Sequence, residues 1–134
     1  MTNKVDFKIG EILMGENNLP IDGNHYIVFY KEIDGIDFQG CMISTSPFHG
    51  INIGMDSSHF EVINKETNQS WRITYKNSYL VPAKLYKFNE MGAFHKVGQL
   101  TQAGIAFIEA IIAEKEVKPW EVYKYEVGQL INGK

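Results

Sequence analysis

The side chains of this 134-residue sequence that could do chemistry are four histidines, one cysteine and a short run of hydroxyls. None stands in a strong catalytic pattern: the chain has no glycine-rich phosphate loop, no nucleophile elbow and no Cys or His pair at zinc-ligand spacing. His25, His49, His59 and His95 fall in or beside loops, at separations that match no usual metal motif, so neither a metal ion nor another cofactor is expected. Cys41 has no disulfide partner and lies in an apolar run, which predicts a small buried hydrophobe rather than a nucleophile.

The hydroxyls are Ser44-Thr45-Ser46, just before Pro47, at the end of an apolar stretch. Such groups can bond a phosphate oxygen, or they can satisfy their own backbone in a turn. His25 opens an apolar run directly after a Gly-Asn pair, which would put its imidazole at the mouth of the same sheet. Lys96, beside His95, is a further polar candidate.

Charge limits what these groups can act on. With 13 basic and 16 acidic residues the net charge is −3, the wrong sign for holding long nucleic acid by bulk attraction, so any such contact must be local. Arg72 is the sole arginine, and the remaining positive charge is lysine, which lacks the planar fork that grips phosphates and bases. No run of apolar residues is long enough to span a membrane, and Met1 to Ile12 carries charges where a signal peptide would be apolar. A cytoplasmic location is the expectation.

The elements that must position these residues are mostly strands. Phe7 to Leu13 alternates as a short strand, and Gly15 to Asn24 is a loop rich in Gly, Asn and Asp. His25 to Tyr30 is β-branched and aromatic throughout, which predicts a strand buried on both faces. Asp34-Gly35 supplies a turn into a partner strand over Ile36 to Ser44, and Thr45 to Ser58 follows as a long loop. Further strands are predicted at Phe60 to Ile63, Trp71 to Tyr75, Tyr79 to Val81 and Leu85 to Phe88. The last stretch is helical: Thr101 can cap a helix over 102–116, along which Ile105, Ile108, Ile111 and Ile112 form one stripe. Pro119 ends it, and Trp120 and Val122 are expected to return to extended structure in a C-terminal extension, 117–134. Val97-Gly98-Gln99-Leu100 recurs as Val127-Gly128-Gln129-Leu130, too short a string to be a structural repeat. The whole predicts one domain, mainly β with α, a barrel over about 7–100 followed by an amphipathic helix.

In this order the pieces resemble the PemK/MazF-like toxins, small SH3-like barrels that cleave RNA. The matching segments are Gly10-Glu11-Ile12, Gly23-Asn24-His25-Tyr26-Ile27-Val28, Met42-Ile43-Ser44-Thr45-Ser46, Asn77-Ser78-Tyr79-Leu80-Val81 and Lys96-Val97-Gly98-Gln99-Leu100-Thr101. The resemblance implies an endoribonuclease that cleaves single-stranded RNA without a metal, by attack of a ribose 2′-hydroxyl on the adjacent phosphate. It also implies a homodimer and an antitoxin partner. By position, Thr45 takes the place of the family's threonine, while His25 stands where the family has an arginine. The expected catalytic pair is therefore His25 and Thr45, with Ser44, Ser46, Tyr26 and Lys96 binding substrate. The groove would lie between the Leu19 to Asn24 and Thr45 to Ser58 loops, with Tyr26, Phe48 and Tyr79 stacking bases. The competing expectation is a non-catalytic SH3-like module that uses the same groove for a peptide, a protein partner or nucleic acid.

Overall fold

The structure, a computed structural model, describes residues 7–15, 26–33, 37–86 and 94–132. His25 and the Leu19 to Asn24 loop lie outside the described residues, as do the Asp34-Gly35 turn and Phe88.

The central strands are the ones whose residues are apolar at successive positions. They are β1 (Glu11–Gly15), β2 (Tyr26–Glu32) and β3 (Phe38–Ser44). Short strands follow: β4 (Ile53–Gly54), β5 (Ile63–Asn64), β6 (Gln69–Ser70), β7 (Tyr79–Leu80) and β8 (Lys84–Tyr86). Then come β9 (Phe94–Gln99), helix α1 (Gln102–Ile112), β10 (Val117–Pro119) and helix α2 (Trp120–Asn132). The main sheet runs β10-β8-β3-β2-β1-β9, with β7 bonded to β3 and β4; β5 and β6 form a separate hairpin. Its pairings are antiparallel except that of β10 with β8. This is a mainly β, barrel-like fold with helices at the C-terminal end.

Side chains alternate across a strand, and here both faces are covered. Ile12, Val28, Cys41 and Ile43 pack with Ile108 and Ile112 of α1, whereas Leu13, Ile27, Phe29 and Met42 pack with Tyr123 and Val127 of α2. Burial of β2 on both faces agrees with its unbroken apolar run. Cys41 is fully buried, and burial pushes its thiol up to about 12.

Thr101 caps α1 as expected, its hydroxyl accepting from the Gly104 amide at 3.1 Å while donating to the Ser58 carbonyl at 2.6 Å. Gly104 is required there, because a Cβ would run into the carbonyl oxygen of His59. The helix stops at Ile112, short of the expected residue 116. Its apolar stripe ends there, and Lys84 Nζ takes up the Ala113 carbonyl at 3.0 Å, satisfying an acceptor that a further turn would have used.

Four other expectations are corrected. Residues 120–132 are helical, not extended: Trp120, Tyr123, Val127 and Ile131 recur at helical spacing and reach the core, and Pro119 precedes the helix rather than interrupting it. The first strand begins at Glu11 and runs to Gly15, because Gly10 turns the chain at a φ of 89°. Phe60 to Ile63 makes only an isolated bridge, Phe60 to Leu100, before β5. Trp71 to Tyr75 is not a strand despite its alternation; the Trp71 amide bonds Val62 and the Ile73 amide bonds Val97, with no ladder between them. The 45–58 loop is ordered into turns, β4 and a one-turn 3-10 helix at Ser57–His59.

Candidate functional site

The end of β3 is the place where several of the candidate side chains gather. Tyr26 lies opposite Ile43 across β2 and β3, and Tyr79 lies opposite Ser44 across β3 and β7. Beyond Ser44 the chain leaves the sheet. Ser44 Oγ accepts from the Ser46 amide at 3.1 Å, and Ser46 Oγ accepts from the Phe48 amide at 3.0 Å, so successive hydroxyls shape the turn. That is the local-backbone role such residues commonly fill. A hydroxyl that accepts one bond still has its own O–H to donate. Thr45, between them, is exposed.

A cavity of about 240 Å³ opens at this strand end, its lining including Tyr26, Ser44, Thr45, Arg72, Thr74 and Lys76. The Arg72 to Lys76 segment is held over it by two anchors. The Ile73 amide bonds the Val97 carbonyl at 2.9 Å, and the Lys76 amide bonds Ser78 Oγ at 3.2 Å. Among the described residues the lining carries two cationic side chains and no carboxylate. In a chain of net charge −3, that is a local positive site with hydroxyl donors beside it.

The expected residues therefore divide. Thr45, Ser44 and Tyr26 line the cavity; Ser46 lies just past it in the turn. Lys96 does not line it: its Nζ is 2.9 Å from Glu11 Oε2 and 5.0 Å from the centre of the Trp71 ring. Of the aromatics expected to stack bases, Tyr26 lines this cavity, Phe48 lines a neighbouring one and Tyr79 lines neither. His25, the expected catalytic base, lies outside the described residues.

Arg72 and Lys76 are the members that the sequence argument missed. Arg72 is the only guanidinium, but the Trp71 to Tyr75 stretch that carries it reads in sequence as one more strand. Its uniqueness among lysines was the available signal. Among the described residues, no three His, Cys, Asp or Glu side chains are grouped so as to hold a metal ion. No described helix is long and apolar enough to cross a membrane.

No family model matches this chain, and neither a curated protein nor a solved structure matches it.

Proposed function

We propose that this protein is a toxin-type endoribonuclease that cleaves single-stranded RNA in the Thr45–Arg72 cavity. The observation that carries the proposal is that the chain's one arginine shares a cavity with Thr45. The resemblance to PemK/MazF-like toxins calls for an arginine and a threonine on one phosphate, and His25 occupies the expected arginine position. Arg72 offers the missing permanent charge from a different part of the chain.

The chemistry divides among these groups as follows. When a ribose 2′-hydroxyl gives up its proton and its oxygen attacks the adjacent phosphorus, the P–O5′ bond breaks, negative charge builds on the non-bridging oxygens, and the leaving 5′-oxygen takes up a proton from water. The Arg72 fork and the Lys76 ammonium stabilise that charge, and the Thr45 hydroxyl donates to one oxygen. Imidazole is the side chain whose unperturbed titration lies near neutral pH, and His25, the residue before Tyr26 in sequence, is the group proposed to take the 2′-hydroxyl proton. Tyr26 presents a ring against which a base can stack. A cytoplasmic location, pairing of two copies and an antitoxin that covers the cavity accompany this role.

The test is incubation with single-stranded RNA at low salt, with and without a chelator. The expected result is cleavage that survives chelation and leaves cyclic phosphate and 5′-hydroxyl ends, lost in Thr45→Ala, Arg72→Ala and His25→Ala. Binding of RNA or peptide with no cleavage by the unmodified protein would replace this function with that of a non-catalytic module.

A further inference from the structure

Ser44 lines a second cavity as well, of about 230 Å³, between the 46–52 turn and α2. Its walls include Phe48, Trp120, Tyr123 and Val127, which makes it mainly apolar and aromatic. The Trp120 and Tyr123 rings are stacked, with centroids 5.7 Å apart and planes 26° from parallel.

The polar atoms of this cavity's lining residues that are buried without a hydrogen-bond partner include Asn52 Oδ1 and the Tyr123 hydroxyl. The Asn52 amide is held in place, because its Nδ2 donates to the Ser46 carbonyl at 2.9 Å. Its oxygen is thereby left as a fixed acceptor. Buried polar groups in native proteins are nearly always bonded, so an unbonded acceptor and an unbonded hydroxyl on residues lining one cavity call for a partner.

The turn carrying Asn52 is strained as well. Phe48 and His49 have φ of 44° and 58°, and Gly50 follows at 78°. A bulky aromatic rarely adopts the left-handed conformation, and such outliers concentrate where a binding surface needs a side chain held in place. Here the turn is closed by bonds from the Gly50 and Asn52 amides to the Pro47 carbonyl, at 3.1 and 3.2 Å, and Phe48 is kept on the cavity wall.

We propose that this cavity is a nucleobase subsite, taking the base of the nucleotide whose phosphate sits in the Thr45–Arg72 cavity, an inference that rests on that cavity being a phosphate site. A flat heteroaromatic ring suits the aromatic walls. Every nucleobase presents an N–H next to an acceptor on its pairing edge, so Asn52 Oδ1 receives the N–H and the Tyr123 hydroxyl donates to the acceptor. Ser44, common to both cavities, lies where base and phosphate of one nucleotide would diverge. Asn52 and Tyr123 are thereby base-binding residues for the cleavage.

Trp120 supplies a reporter, since the chain has two tryptophans and Trp71→Phe leaves it alone. Adenosine, cytidine, guanosine and uridine are titrated against this variant and followed by fluorescence, with ribose 5-phosphate as the ring-free control. Calorimetry on the unmodified protein gives the same readout without a substitution. The expected result is saturable quenching by at least one nucleoside and none by ribose 5-phosphate, with Asn52→Leu and Tyr123→Phe each weakening binding about tenfold or more. Arg72→Ala should leave nucleoside binding unchanged and weaken only the matching nucleotide. No binding of any nucleoside by either method, or binding indifferent to both substitutions, overturns the subsite. RNA cleavage without nucleoside binding sinks the subsite and spares the nuclease; nucleoside binding without cleavage does the reverse.

Discussion

Thr45 and Arg72 face one cavity, Thr45 from the residue after β3 and Arg72 from the irregular stretch between β6 and β7. Because both side chains are exposed, removing either should leave the fold nearly unchanged, within about 0.5 kcal/mol. Cleavage should respond differently. Losing a donor to the transition-state charge lowers rates about 10²- to 10³-fold, so Arg72→Ala should fall in that range. Arg72→Lys should fall between it and the parent, since it keeps the charge but loses the fork. Initial rates on a short RNA, paired with thermal melting of each variant, check this; equal rates for all three proteins would remove Arg72 from the site.

Cys41 makes a prediction about alkaline pH. Its thiol ordinarily ionises near 9.0 and is pushed up to about 12 by burial, so above pH 9 the unfolded chain loses a proton that the folded chain keeps. The stabilisation is therefore complete below pH 9 and is lost as pH rises towards 12, at about 1.4 kcal/mol per pH unit. Tyrosines and lysines titrate in the same range, so the informative quantity is the difference between the parent and Cys41→Ala. That difference should shrink as pH rises through this window. Urea titrations at several pH values measure it; a constant gap would mean that the thiol ionises within the fold.

At the start of α1, two substitutions should both destabilise although helix propensity favours each. Thr101→Ala removes the cap to Gly104 and the bond to Ser58, for a loss of about 1–2 kcal/mol. Gly104→Ala would gain about 1 kcal/mol in an open helix. Against the His59 carbonyl it should instead lose stability, by about 1–3 kcal/mol, because the helix must shift to make room. Denaturant unfolding of the two variants decides this, and a more stable Gly104→Ala would show that α1 does not press on the Ser57–His59 turn.

The second helix should show a sharp contrast between its faces. Val127 is 8% exposed and packs against the sheet, whereas Leu130 is 61% exposed. Val127→Ala should cost about 1–2 kcal/mol from the methyl groups removed and the space left behind. Leu130→Ala should change stability by no more than about 0.5 kcal/mol. Equal effects in thermal melts would mean that α2 is not docked as described.

Much of the architecture was written locally. The unbroken apolar run of β2 identifies a strand buried on both faces, and the isoleucine stripe after Thr101 identifies α1 with its cap. These features depend on neighbours a few residues away, so periodicity and capping chemistry suffice. Trp71 to Tyr75 shows where that stops: its alternation fits a strand, but a strand needs a ladder, and among the described residues only single backbone bonds, to Val62 and Val97, reach it.

The repeated tetrapeptide draws the boundary most clearly. Val97-Gly98-Gln99-Leu100 is extended, with Val97 to Gln99 in β9 and Leu100 bridged to Phe60, while the identical Val127-Gly128-Gln129-Leu130 is a turn of α2. The amino acids by themselves determined the strand-rich body, the capped helix and the buried thiol. Tertiary contacts decided which copy became strand and which became helix, because β1 offered the first a ladder and the core beneath Trp120 and Tyr123 offered the second an apolar face. They also decided that Arg72 would meet Thr45, a meeting that no local pattern encodes because it depends on how separate segments cross the end of one sheet.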